Sequence, residues 1–138
     1  MEKMFIDTNI LIYATNPRSD FYKKARLKLE ELSSQFEFVI SSQILLEYAK
    51  TMTAGKKASL VWEQVEIFSE QFDLCFDNYE VFALWQEFSK MYQVKGNEAF
   101  DCYIVATMKA NGINYLLTNN PKDFEVYNNI INIVKLKG

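Results

Sequence analysis

The feature that most constrains this sequence is an alternation. Short apolar runs, each closed by a polar residue, separate longer stretches with helical spacing. Met4-Phe5-Ile6 runs into Asp7, Phe36 to Ile40 into Ser41-Ser42, and Tyr115-Leu116-Leu117 into Thr118. Such runs are too short for helices, and the first and third are apolar at every position, as expected of strands buried on both faces. Leu74 to Phe76 and Asn132 to Leu136 bring the strand count to about five. Between them the apolar residues recur with helical spacing. Phe21, Ala25, Leu29 and Leu32 share a face behind a cap at Asp20, and Ile44, Leu45, Tyr48 and Met52 share one behind Ser41 or Ser42. Val61, Val65 and Phe68 mark a helix over 56–72, and Val81, Trp85, Phe88 and Tyr92 mark one capped by Asp77 or Asn78. A further helix runs from Glu98 to Asn111-Gly112, a left-handed C-cap. Strand–helix alternation predicts an α/β fold with a central, mostly parallel sheet and helices on both faces.

Composition narrows the function. The 138 residues suffice for one domain, residues 1–138, and 49% apolar with 24% charged residues is the balance of a globular protein. Four Gly, against about 10 from average usage, and two Pro leave few forced turns. The absence of His excludes a Ser-His-Asp triad, a His general base and an imidazole zinc site. Cys75 and Cys102 have no CxxC partner and read as buried thiols in a reducing cytoplasm. No apolar run approaches the roughly 20 residues of a membrane span, and the first residues lack a signal-peptide pattern. A net charge of -3 disfavours nucleic-acid binding through bulk charge and leaves only a local basic rim.

In parallel sheets, ligands sit at the carboxyl ends of the strands. There the sequence places Asp7-Thr8-Asn9, the helix bearing Glu47, the helix start bearing Asp101, and Thr118-Asn119-Asn120. Each has an ordinary reading: Asp7 as an N-cap, Glu47 as a solvated helix residue, Asp101 as a first-turn acid facing the dipole, and Thr118 and Asn120 as turn residues. Together they offer three acids and several neutral oxygens. Carboxylates a few ångströms apart repel unless protonated or neutralised, and an all-oxygen set suits Mg²⁺ or Mn²⁺. Such a site can bind a phosphodiester and activate a water.

Four segments in order carry a resemblance. They are Phe5-Ile6-Asp7-Thr8-Asn9-Ile10-Leu11-Ile12-Tyr13, Ser41 to Tyr48 with its acid at Glu47, Asp101 to Met108, and Asn111-Gly112 with Leu116 to Phe124. Together they resemble the PIN-domain family, especially the VapC-type toxins of bacterial toxin–antitoxin pairs. The resemblance runs from Phe5 to about Val134. It implies a compact α/β sandwich and a Mg²⁺- or Mn²⁺-dependent endoribonuclease. Asp7, Glu47 and Asp101 fall on the main catalytic acids and metal ligands, with Asp7 and Asp101 the primary ligands. Thr8, Asn9 and Thr118 line the pocket. Asn120 falls where a fourth, more variable carboxylate often lies, and Glu98, on nearly the same helix face as Asp101, is the alternative source of that charge. Asp123 reads as structural, with Phe124 packed beneath the loop.

The family also implies an RNA substrate, a small antitoxin partner bound across an apolar groove, and a homodimer. Lys50, Lys56, Lys57, Lys95 and Lys122 are candidates for the basic rim, and Arg18 and Arg26 for phosphate forks. The aromatic residues Trp62, Phe68, Phe72, Phe82, Trp85, Phe88 and Tyr92 pack the core and keep part of a face for a partner. Two other readings stand beside the nuclease. One is a catalytically silent PIN-fold binding module, which the departure at Asn120 permits. The other is a phosphotransfer enzyme with Asp7 as nucleophile, which wants a second Asp where Asn9 stands.

Overall fold

A computed structural model describes residues 1–136; Lys137 and Gly138 lie outside the described residues. Five strands form one sheet: β1 (Glu2–Ile6), β2 (Phe36–Ser41), β3 (Asp73–Cys75), β4 (Tyr115–Thr118) and β5 (Asn132–Lys135). Their order is β3-β2-β1-β4-β5, and every pairing is parallel. Burial follows that order. In central β1, Met4, Phe5 and Ile6 are all fully buried, whereas edge strand β5 has no buried residue and keeps Asn132 and Lys135 exposed. The unbroken apolar run in β1 is thus explained by cover on both sheet faces.

The helices are α1 (Thr8–Thr15), α2 (Tyr22–Leu32), α3 (Ser42–Thr53), α4 (Ala58–Gln71), α5 (Tyr79–Met91) and α6 (Glu98–Ala110), with a 3-10 helix at Pro121–Tyr127. The chain steps outward from β1 to β2 and β3, then returns across the sheet to β4. Right-handed crossovers put α1 to α4 on one face and α5, α6 and the 3-10 helix on the other. The reversal falls between β1 and β4, the switch point at which parallel sheets bind ligands. Ile6 pairs with Leu117, so Asp7 and Thr118 emerge side by side.

Local signals set most boundaries. Ser41 Oγ accepts from the Ile44 N–H at 3.2 Å and starts α3, and Asn78 Oδ1 accepts from the Val81 N–H at 2.9 Å and starts α5. Three expectations need correction. Asp20 does not cap α2. The helix begins after Phe21, whose N–H is taken by Ser19 Oγ at 3.1 Å. The third strand is Asp73–Cys75 rather than 74–76, because β2 pairs with it through Val39–Asp73 to Ser41–Cys75 and then ends; Phe76 is left exposed. After Thr118 and Asn120, read as turn residues, the chain does not simply turn: Phe124 and Tyr127 are both buried and hold two turns of 3-10 helix against the sheet.

The aromatic series divides. Phe68 is buried and stacks on Phe72 at 5.7 Å, while Trp62 on α4 and Phe82 on α5 remain exposed.

Gly112 follows α6 with φ +68, a conformation that strains any side chain, while a Cβ there would meet open space. Gly112→Ala is therefore expected to cost about 1–2 kcal/mol from backbone strain alone. Gly55→Ala, at a position without positive φ or close neighbours, is expected to be neutral or to stabilise by up to about 1 kcal/mol. Urea unfolding of the two variants measures the contrast.

Candidate active site

Asp7 ends β1 and begins α1, and its two oxygens do different jobs. Oδ1 accepts from the Thr8 N–H at 2.8 Å, which caps the helix. Oδ2 accepts from Thr118 Oγ1 at 2.7 Å, across the switch point. The cap and the site are thus the same residue. Asn9 closes the ring around it. Its amide donates to Asp7 Oδ2 at 3.4 Å, and its Oδ1 accepts from the Asn119 N–H at 3.3 Å. Asp7 is only 8% exposed and Thr118 is fully buried. Burial is the main cause that raises the Asp7 carboxyl above its usual range. The Thr118 hydroxyl and Thr8 N–H oppose it, and the charges of Glu47 and Asp123 add to it.

Glu47 lies on the second turn of α3 and is held at both oxygens. Thr8 Oγ1 donates to Oε2 at 2.9 Å, and Gln43 Nε2 donates to Oε1 at 3.2 Å. Gln43, one helical turn earlier, was not singled out by sequence reasoning. Its i,i+4 spacing to Glu47 was the available signal. Its own Oε1 is buried with no partner among the described residues. A water or ion placed there would satisfy it.

Asp101 projects from the first turn of α6, opposite Asp7 across the sheet end. Its carboxyl is pushed up to about 7, first by burial and then by the charges of Asp123, Asp7, Glu47 and Glu98, in that order. Asp7, Glu47 and Asp101 therefore share one electrostatic environment. Glu98 adds to it from an exposed position, and its Oε1 accepts from the Lys95 N–H at 2.9 Å, so it also fixes the turn before α6.

The reading of Asp123 as structural is incomplete. Phe124 does pack beneath the 3-10 helix, but Asp123 sits on its outer side and leads the charges acting on Asp101. Asn120 instead acts through its backbone, donating its N–H to Thr118 Oγ1 at 3.0 Å, and its side chain is exposed. The signal for Asp123 was its spacing: two residues after Pro121, on a helix whose next residue is buried. Of the expected basic rim, Lys122 borders the acids, in a cleft with Asp101 and Asp123. Lys56 and Arg18 line a different cavity of about 550 Å³, and Arg26 donates to the Ala14 carbonyl and lies over the Tyr22 ring.

Among the described residues, no three Asp, Glu or Cys side chains close on one point. The donor set nevertheless fits a hard cation. Mg²⁺ keeps several waters and takes one or two carboxylates, rather than a complete protein cage. Carboxylates crowded at one end of the sheet repel one another, and such a cation relieves that repulsion.

These features define an all-parallel α/β domain whose acids gather at the switch point beside the central strand. The PIN domain family model matches residues 4–129, and the chain belongs to that family. Solved structures agree in fold. VapBC2 from Rickettsia felis, bound to a DNA fragment from its promoter, is 25% identical, with 96% of this chain and 97% of that chain covered and a TM-score of 0.73. A toxin–antitoxin complex from Klebsiella pneumoniae gives 22%, 97%, 98% and 0.72 in the same order. VapC20 from Mycobacterium tuberculosis, a toxin that cleaves the sarcin–ricin loop, gives 15%, 83%, 87% and 0.64. No curated protein matches the chain significantly. Among the described residues no helix is long and apolar enough to cross a membrane.

The raised Asp101 carboxyl makes stability depend on pH. Between about 4 and 7 the folded chain holds this proton more tightly than the unfolded chain, so metal-free stability falls as pH rises through that window. Asp101→Asn removes the repelled charge. It is expected to melt higher than the parent at pH 8, by about 3–6 °C for each kcal/mol relieved, and to flatten the profile over the same window. Thermal melts of both proteins without metal, from pH 4 to 8, measure it.

Proposed function

We propose that this chain, acting as one PIN domain over residues 1–138, is a Mg²⁺- or Mn²⁺-dependent endoribonuclease and the toxin of a toxin–antitoxin pair. The observation that carries the reading is that Thr8 bonds both Asp7 and Glu47 beside the switch point of a PIN fold, and that both acids act in charge on Asp101. The fold neighbours add support, since they include a toxin–antitoxin complex and a toxin that cleaves the sarcin–ricin loop. The substrate is RNA and the partner a small antitoxin. The exposed aromatic residues Phe76, Tyr79, Phe82 and Phe100 on and beside α5 and α6 support a protein contact such as a homodimer. Cys75 and Cys102 are free and buried, in keeping with a cytoplasmic setting.

Asp7 and Asp101 would hold the cation, with Asp7 fixed in place by Thr118, Thr8 and Asn9. Bound there, the cation supplies neutralisation of the acids, polarisation of a phosphate oxygen and a more acidic water. Glu47, fixed at both oxygens by Thr8 and Gln43, is oriented to take a proton from the attacking water, and it adds charge toward the cation. Glu98 and Asp123 deepen the negative potential, and Asn120 steadies through its backbone N–H the Thr118 hydroxyl that holds Asp7. With no His, the paired-imidazole route to a cyclic phosphate is closed. Hydrolysis yields a 5′-phosphate and a 3′-hydroxyl.

The test is cleavage of total RNA by purified protein with Mn²⁺, Mg²⁺ or EDTA. Discrete metal-dependent fragments are expected, and Asp7→Asn and Asp101→Asn are each expected to lower the rate by about 100-fold or more. Metal-dependent cutting that survives both substitutions contradicts the assignment. Gln43→Leu leaves the acids in place but frees one oxygen of Glu47. It is expected to lower kcat by about 10- to 100-fold, with the fold intact by circular dichroism.

A further inference from the structure

Beside the acids, the α5–α6 turn, α6 and the 3-10 helix enclose a cleft of about 230 Å³ with a mixed lining. Glu98, Asp101 and Asp123 supply carboxylates; Tyr92, Val94, Val126 and Tyr127 supply apolar and aromatic surface. The aromatic part is fixed. The Tyr92 ring meets the Tyr127 ring edge-on at 4.9 Å, and its hydroxyl donates to Asn129 Oδ1 at 3.4 Å. Val126 is 54% exposed, although its neighbours Phe124 and Tyr127 in the same helix are buried, so its apolar surface is left facing out. The aminoalkyl chain of Lys122 also borders the cleft.

The chemistry of this lining selects a ligand. Ionised carboxylates accept hydrogen bonds and donate none, so the acidic part repels a bare phosphate and takes N–H donors. A fixed aromatic ring beside apolar surface offers a stacking face. A flat, neutral ring with amino groups on its edge satisfies both parts. Bases of single-stranded RNA are recognised this way, splayed out, stacked on aromatic side chains and hydrogen-bonded along their edges. Cytosine N4 and adenine N6 are amino donors, whereas a uracil-like edge presents a carbonyl there.

We propose that this cleft receives one base of single-stranded RNA, next to the phosphodiester to be cut at the carboxyl end of the sheet, and that it favours bases carrying an exocyclic amino group. The inference rests on the ribonuclease reading for its substrate class. In this arrangement Tyr92 stacks on the base, Glu98 and Asp123 accept from its amino edge, and Lys122 lies within reach of the backbone. Specificity for the base beside the cut is then set by the α5–α6 turn and the 3-10 helix, outside the catalytic acids.

The test measures binding apart from cleavage. The Asp7→Asn protein is titrated, with Mg²⁺, into fluorescein-labelled short oligocytidine, oligouridine and a fully abasic strand of equal length, read by anisotropy. Oligocytidine is expected to bind about 5- to 150-fold tighter than the abasic strand, and tighter than oligouridine. Val126→Trp fills the cleft from an exposed position, so it does not disturb the core. It is expected to remove most of both differences, and Tyr92→Leu to do the same by removing the ring. Equal affinity for all three strands overturns the proposal. So does a preference that survives both substitutions, or a Val126→Trp effect confined to oligomeric state on gel filtration. Absence of RNA cleavage by the unsubstituted protein would instead count against the nuclease reading, and a base preference in the binding experiment would stand apart from it.

Discussion

The hydrogen bond from Thr118 Oγ1 to Asp7 Oδ2, at 2.7 Å, joins the end of β4 to the end of β1, and the rest of the site depends on it. It exists because the sheet reverses direction between those two strands. A fully buried hydroxyl there has one useful acceptor, and a nearly buried carboxylate there needs a donor. A hydrogen bond to a charged group is worth about 1.5–3 kcal/mol, which offsets part of the cost of burying Asp7. Asn9 and Asn120 extend the contact to both flanking loops. The acid thereby gains a fixed direction while remaining raised in pKa by burial and by its neighbours.

The same arrangement stores repulsion. Asp101 is raised to about 7 by burial and by four other acids, yet no Lys or Arg is paired with any of them among the described residues. The fold tolerates this because the sheet and its two helical layers are held by an extensive apolar core running from Met4 to Leu136. Local instability at the carboxyl end of the sheet is thus set against stability elsewhere, the usual arrangement of a site that awaits a charged ligand.

Much of the fold was legible because its strands are short, apolar and flanked by polar residues, and its helices carry clear periodicity. Asp20 satisfies the composition of a cap, but α2 begins only after Phe21, whose N–H is taken by Ser19 Oγ. The third strand shifted by one residue because its register is set by β2, a partner far away in sequence. The 3-10 helix outran the expected turn because Phe124 and Tyr127 find core beneath them. In the last two cases a contact distant in sequence overrode a local preference; in the first, one local hydrogen bond displaced another.

The sequence by itself determined the class of fold, the order of its elements and the residues Asp7, Glu47, Asp101 and Thr118 at strand ends and helix starts, because burial and periodicity are written into local patterns. Tertiary structure alone decided which of those groups meet. It put Asp7 and Thr118 in contact across 111 residues, closed Glu47 between Thr8 and Gln43, and turned Asp123 rather than Asn120 toward the charge of Asp101. The reason is that strand order and sheet register are pair properties, and carboxylate coupling falls off with distance in space, which spacing along one chain does not encode.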